Sequence, residues 1–421
     1  MILRELREWE QVVGVGLTAV HATALARSKA LDVTPSLSTP GAWDLKAHQH
    51  VGIVQCGDIE VRIRPKVGVS RLLWLAALAE VDEGWSDREA DLDKAEELVT
   101  AMAAAFLFQA ERALRDGVMH GYLHREEALF VLRGRLRVAE QVGRRFGFPL
   151  PVEVAWDDFT ADVPENRLLR SAARCLLRCP GLPSDLRARA RRLHELLDGV
   201  ALLPHGPPPT LPVATRLNAR YRPALVLSRM VLRHLSVEAG RGDVPGIAFL
   251  FDMNVVFQEF LAHVLGRALE KRTGNTESQT DRPFTQDGSQ VVKPDLVWRS
   301  GHQILAVVDA KYKRRAEPDP ADLYQVVAYS VALECPVVHI VYAGATPSQI
   351  LRIRPAGAVE VHVHGLNLEG KPAEILARVE NLAARIASAT GADHVQTYTA
   401  PGRGMTTAGG QPPGPPPSSR R

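Results

Sequence analysis

The sequence is short of cysteine, lysine and long apolar runs, and each shortage excludes something. Four cysteines in 421 residues cannot build a disulfide framework. Cys175 and Cys179 stand four apart, but no second pair of thiols or histidines completes a zinc site, so all four are expected as reduced core or surface thiols. No apolar stretch approaches the ~20 residues of a membrane span. The opening MILRELREWEQ is charged where a signal peptide would be apolar, so the chain is expected to be cytoplasmic with no membrane partner. No GxxxxGK[ST] loop occurs, so no nucleotide is expected on this chain itself. What remains is ordinary globular composition, 46% hydrophobic and 24% charged, which excludes a disordered, collagenous or coiled-coil chain. At roughly 150 residues per domain, the length implies about two or three domains.

Only nine of the 51 basic residues are lysine. The net charge is +3, but its distribution is uneven. Thirteen arginines and four acids lie between Glu165 and Leu235, a local balance of +9. Nine acids face Arg88 and Lys94 between Glu80 and Glu97, a balance of −7. Clustered guanidinium groups suit phosphate, which they bind bidentately. An arginine-rich coding bias on a solvated helix face would give the same composition, and both readings stand.

No internal repeat is visible. Residues 51–65 read as two strands around a Gly57-Asp58 turn, with Ile59, Val61 and Ile63 alternating with charged residues. Residues 70–80 and 92–116 read as helices, and 129–138 as a hairpin punctuated by Gly134. A helical segment over 165–199 is broken at Pro180-Gly181, and PHGPPPTLP (204–212) is a stiff connector. Helices are expected at 223–236, 247–273, 320–334 and 375–389, and strands at 291–298, 303–312 and 336–343. From Pro401 the chain is rich in Gly, Pro and Ser and is expected to be disordered. The fold class is therefore multidomain α/β. An amino-terminal α+β domain with a small sheet occupies 1–150, an Arg-rich helical segment 151–236, an α/β/α domain 237–400, and a tail 401–421.

The chemistry concentrates in 294–311. Asp309 and Lys311 share one face of a strand that follows the apolar run Ile304–Val308. A carboxylate and an ammonium there are costly to desolvate. Asp295 ends the preceding apolar stretch and is placed to project beside Asp309. Two such carboxylates repel unless a divalent cation lies between them, and an oxygen-only ligand set favours Mg²⁺, with Mn²⁺ possible. Acid-x-Lys alone is uninformative, since Asp44-Leu45-Lys46 and Glu369-Gly370-Lys371 also occur. Only the Asp309 triplet ends a buried strand and has a partner acid. An ion pair capping a strand end is the bland alternative. Glu259, in a largely apolar helix, is a further candidate ligand, or else a surface acid. Gln325 and Tyr329 are four apart on one helix face, placed to hold a phosphate or a water, or else to cap the helix–sheet interface.

Helix, Pro294-Asp295, Asp309-x-Lys311 and Gln325-x-x-x-Tyr329 in this order resemble the PD-(D/E)xK nuclease superfamily over roughly 247–345. A wider resemblance is to the McrC family. It rests on VGIVQCGDIEVRIRPKVGVSRLLWLAAL (51–78), LRGRLRVAEQV (132–142), DDFTADVPENRLLRSAARCLL (157–177), FDMNVVFQEFLAHVL (251–265), KPDLVW, VVDAKYK and DLYQVVAYS (322–330). That resemblance implies the Mg²⁺-dependent endonuclease subunit of a methylcytosine-directed, type IV restriction system. It also implies methylated duplex DNA and an McrB-like AAA+ GTPase oligomer as partners, docked through the amino-terminal domain. By motif position Asp295, Asp309 and Lys311 inherit catalysis, with Glu259 and Gln325 as supports. The metal ligands implied are Asp295, Asp309 and Glu259, and the substrate-binding candidates are Tyr329 and Lys313. The alternatives are a stand-alone nuclease of phage defence or DNA repair, and a non-catalytic subunit that activates a motor NTPase.

Overall fold

A computed structural model describes residues 2–66, 68–78, 98–179, 181–204, 206, 208–238, 246–313, 317–354 and 359–390. The expected tail, and the acidic run at 80–97, lie outside the described residues. The architecture is mixed α/β, with ten α-helices and several sheets among the described residues. None of those helices is long and apolar enough to cross a membrane.

The amino-terminal part is built on a five-stranded sheet. Its order is Ile2–Arg7, Ile59–Arg64, His50–Cys56, Gly246–Asp252 and Leu235–Glu238. The expected turn at Gly57 joins two of these strands, and its positive φ of 61° explains the glycine. The expectation that a helix starts at 247 is corrected. GIAFLFD is a strand that runs antiparallel to His50–Cys56, and the helix begins at Met253. A seven-residue apolar run does not distinguish strand from helix, and here pairing across nearly two hundred residues decides it. The boundaries expected at 150 and 237 therefore do not coincide with changes of core. Strand Val152–Thr160 belongs to a three-stranded sheet with Gly121–Leu129 and Arg135–Leu136. It lies between those two strands, so the hairpin expected at 129–138 does not form.

The Arg-rich segment folds as expected into helices Pro164–Leu177 and Ser184–Leu196, with Gly181 at φ 65° between them. Helix Arg222–His234 follows. Their apolar faces share one core with Val69–Leu78, Leu98–Leu114 and Met253–Glu270. The last of these is apolar on several faces because it packs on both sides. Phe260 meets Trp74, with ring centroids 5.8 Å apart, while Phe257 lies in the same core as Trp298 of the following sheet.

That second sheet has six strands, in the order Asn275–Ser278, Leu296–Ser300, Gln303–Lys311, Val337–Ala343, Val359–Leu366 and Gln349–Ile353. Gln303–Lys311 is antiparallel to Leu296–Ser300 and parallel to Val337–Ala343. Helices cover both faces, which is why its central strands are apolar on both. Val308 and Ala306 pack into the core shared with Met253–Glu270, and Val307 packs with Val326 and Tyr329 of helix Pro320–Leu333 on the other face. Asp319 caps that helix by accepting from the Ala321 N–H at 3.1 Å, and Pro320 occupies its first turn.

Gly52 carries the junction between the two parts of the five-stranded sheet. Its φ is +138°, and a Cβ there would lie 1.9 Å from the Phe249 carbonyl oxygen. Gly52→Ala is expected to destabilise the protein by about 2–4 kcal/mol, measured by urea unfolding. A loss below about 0.5 kcal/mol would contradict this account of the junction.

Candidate active site

Leu296 pairs with Val308, so Asp295 arrives beside the carboxyl end of the Gln303–Lys311 strand. The Ala310 N–H donates to Asp295 Oδ2 at 2.7 Å. The Gln279 amide donates to Oδ1 at 2.8 Å, and the Gln258 amide donates to the same oxygen. Asp295 is thus held by three donors while only 7% exposed. Asp309 is 1% exposed, and neither of its carboxylate oxygens has a properly directed hydrogen-bond donor. The Lys311 ammonium stands 2.8 Å from Asp309 Oδ2 as an ion pair. Lys311 also donates to Gln325 Oε1 at 2.8 Å, the Gln325 amide reaches the Tyr329 hydroxyl at 2.5 Å, and that hydroxyl donates to the Lys293 carbonyl at 3.2 Å.

The electrostatics follow from this packing. Burial first, and then repulsion from Asp295, pushes the Asp309 carboxyl up to about 7, against the opposing pull of Lys311. Burial also raises Asp295, though its three donors and Lys311 work the other way. Burial and the nearby Asp309 charge hold the Tyr329 hydroxyl above its ordinary range.

The structure therefore brings together Asp295, Asp309, Lys311, Gln325 and Tyr329. It does not bring in Glu259. That carboxylate makes a two-pronged ion pair with Arg233 on the neighbouring helix, and its neighbour Gln258 reaches Asp295 instead. Successive helix residues point about 100° apart, so only one of the pair can face the acids. Lys313 is likewise engaged elsewhere. Its ammonium binds Asp322 at 2.9 Å and lies 3.5 Å from Asp319, and Tyr342 donates to the same Asp322 at 2.8 Å. Lys313 thus fixes the start of helix Pro320–Leu333. Tyr329 is buried and positions Gln325; it offers no open contact to a substrate. Gln258, Gln279 and Asp322 went unread in the sequence, since an amide or acid outside a motif gives no signal until the fold places it.

Most of the arginine cluster also has structural work. Arg167 forks onto Asp162 at 2.7 Å, Arg189 onto Glu111 at 2.8 and 2.7 Å, and Arg170 and Arg220 pair with Asp198 and Asp116. Arg187 and Arg222 donate to backbone carbonyls. Arg233, paired with Glu259, lines a cleft of about 450 Å³ together with Arg229 and, from outside the cluster, Arg267; its wall includes Gln258 and Gln279, the two amides that hold Asp295.

The fold and the site define a multidomain α/β protein with a buried acidic pair and one lysine at the end of a central strand. Residues 45–343 match the family model described as McrBC 5-methylcytosine restriction system component, and the chain belongs to that family. A chain in the half-complex from the tetradecameric assembly of Thermococcus gammatolerans McrB AAA+ hexamers with bound McrC is similar at 19% identity and TM-score 0.54. The match covers 91% of this chain and 100% of that one. A chain of the Thermococcus gammatolerans McrBC complex solved by cryo-EM is similar at 19% identity and TM-score 0.39, over 63% of this chain and 88% of that one. No curated protein matches.

The raised Asp309 carboxyl fixes the sign of a pH effect. In the unfolded chain it ionises near 3.8, and in the folded protein near 7. This group therefore favours the fold most at low pH, and its contribution is lost as pH rises from about 4 to about 7. In EDTA, Asp309→Asn is expected to show a Tm that falls less than that of wild type between about pH 5 and pH 8 in calorimetry. Parallel falls in the two proteins would contradict the assignment.

Proposed function

We propose that the chain is the Mg²⁺-dependent DNA endonuclease subunit of a GTP-dependent, modification-directed restriction system, with a PD-(D/E)xK-type active site at 295–311. The observation that carries this reading is the buried Asp309 carboxylate, balanced by the Lys311 ammonium on one oxygen alone and set beside a second, fully held carboxylate. Orphaned buried acceptors on a carboxylate pair fit a hard divalent cation with oxygen ligands, Mg²⁺ or Mn²⁺. Asp309 and Asp295 would hold it; when bound, such an ion polarises a phosphoryl oxygen and lowers the pKa of an associated water.

The side chains supply the rest. Asp295 is aimed by Gln258, Gln279 and the Ala310 N–H. Lys311, steered by Gln325, is placed to offset negative charge that develops on the phosphate during attack. Arg229, Arg233 and Arg267 along the adjoining cleft suit a DNA backbone, whose contacts are mostly to phosphate. In this reading the six-stranded sheet and its helices are the nuclease domain, from about residue 253, and the parts before it serve docking and support.

An McrB-like AAA+ partner is part of the same proposal. The solved assembly to which this chain is similar holds McrB hexamers with bound McrC. The sheet around Val152–Thr160 and its flanking helix supply a fitting surface. Tyr122, Phe146, Phe148 and Phe159 there are all more than 60% exposed. Exposed aromatics gathered on one small unit mark a protein interface rather than a free surface. The Phe146→Ser/Phe148→Ser double variant is expected to lower stimulation of the partner's GTPase about tenfold or more, with the far-ultraviolet circular dichroism unchanged. Stimulation equal to wild type would remove this patch from the interface.

Nicking of methylated and unmethylated plasmid, with Mg²⁺, GTP and the partner, tests the activity. Asp309→Ala and Lys311→Ala should each lose at least ~100-fold in cutting rate while GTPase stimulation persists. Glu259→Gln should stay within about threefold of wild type, because Glu259 does not reach the acids. Undiminished cutting by Asp309→Ala would refute the site.

A further inference from the structure

Away from the acidic site, three histidines meet inside the six-stranded sheet. His339 lies on strand Val337–Ala343, and His362 and His364 on strand Val359–Leu366. Their neighbours Val338, Ile340, Val361 and Val363 pack toward helix Pro320–Leu333, so the histidines occupy the opposite face. Arg385 of helix Pro372–Ala389 reaches them there. His339 is fully buried, His364 is 4% exposed and His362 is 9% exposed. Each offers a ring nitrogen, and these atoms all lie within 4.8 Å of one another. His339 Nδ1 and His364 Nε2 are 3.0 Å apart. Two imidazole nitrogens on one tetrahedral zinc ion, each at about 2.0–2.1 Å, would be roughly 3.3 Å apart.

The protons can be assigned. Arg385 only donates, so His364 Nδ1 accepts from it and His364 carries its proton on Nε2. That N–H donates to His339 Nδ1, which leaves the His339 proton on Nε2. His339 Nε2 is buried with no hydrogen-bond partner, whereas His362 Nε2 has the Glu360 carboxylate 3.5 Å away. Hydrogen bonding within the trio therefore joins only His364 and His339, and leaves His362 out although its ring nitrogen lies within 4.8 Å of theirs.

We propose that His339, His362 and His364 form a binding site for one transition-metal ion of the zinc class, separate from the acidic site. Three imidazoles with no thiolate and no ligating carboxylate select Zn²⁺, Co²⁺ or Ni²⁺ over Mg²⁺. Burial keeps His339 and His364 neutral, the form that ligates. Binding moves one proton within His364, from Nε2 to Nδ1. Arg385 then gives up His364 and keeps its second partner, the Ser348 hydroxyl at 2.8 Å. Glu360, with Oε2 3.5 Å from His362 Nε2, adds a carboxylate at the rim to offset the ion's charge. The ion would clip Val337–Ala343, the neighbour of the Gln303–Lys311 strand, to the parallel strand Val359–Leu366.

The test uses the full chain without a histidine tag, stripped with EDTA and titrated with Zn²⁺. Bound metal is read by mass spectrometry, and Co²⁺ by its visible spectrum. The site predicts one Zn²⁺ per chain, retained in Asp309→Asn and bound at least about tenfold more weakly in His362→Gln. Should His362→Gln fail to fold, Arg385→Gln decides: replacing the competing guanidinium by a shorter, uncharged side chain should tighten Zn²⁺ binding. The proposal is overturned if no Zn²⁺ binds, if binding is lost in Asp309→Asn but kept in His362→Gln, or if Arg385→Gln leaves affinity unchanged or weaker.

Discussion

Two carboxylates share a nearly dry space at the end of one strand, and the chain treats them unequally. Asp295 receives three hydrogen bonds, whereas Asp309 receives an ammonium at 2.8 Å and no directed donor. Burial and mutual repulsion then push the Asp309 carboxyl up to about 7, so the pair holds a proton to higher pH than ordinary carboxylates do. A chain optimised for stability alone would replace such a pair or satisfy it. The retained imbalance is what a divalent cation would relieve, and the proposed nuclease chemistry depends on it.

The rest of the fold keeps that imbalance in place. The central strand is buried on both faces, so Asp309 has no path to relax into water. Lys313, Asp322 and Tyr342 lock the start of helix Pro320–Leu333, and that helix carries Gln325 and Tyr329 to Lys311. Helix Met253–Glu270 brings Gln258 from the other side while packing against Trp74 of the amino-terminal part. One continuous core therefore runs from helix Val69–Leu78 to helix Pro372–Ala389, and the strand Gly246–Asp252 stitches the two parts through a sheet. A site that sits at the end of such a core is held by both parts of the chain.

The sequence made the central strand, its acids and the helix after it legible, because each carries a local signature. An apolar run ends in Asp-x-Lys, and Gln325 and Tyr329 stand one helical turn apart. Other features are non-local. GIAFLFD reads equally as helix or strand until His50–Cys56 pairs with it. Phe257-Gln258-Glu259-Phe260 offers an amide and an acid side by side, and only the packing of Phe257 and Phe260 decides that the amide turns inward. Lys313 looks like a substrate ligand because it follows the motif, yet Asp322, nine residues on, takes it. The Arg cluster reads equally as a phosphate surface or as a solvated face, and its counter-ions come from distant acids such as Glu111 and Asp116. His362 and His364 are two apart in sequence, while His339 joins them only through parallel strand pairing.

The most direct measurement is Mn²⁺ binding followed by electron paramagnetic resonance, with wild type beside Asp295→Asn, Asp309→Asn and Glu259→Gln. The account predicts one oxygen-ligated Mn²⁺ per chain in wild type and in Glu259→Gln, and its loss in both Asp variants. Equal Mn²⁺ binding by wild type and Asp309→Asn would contradict it.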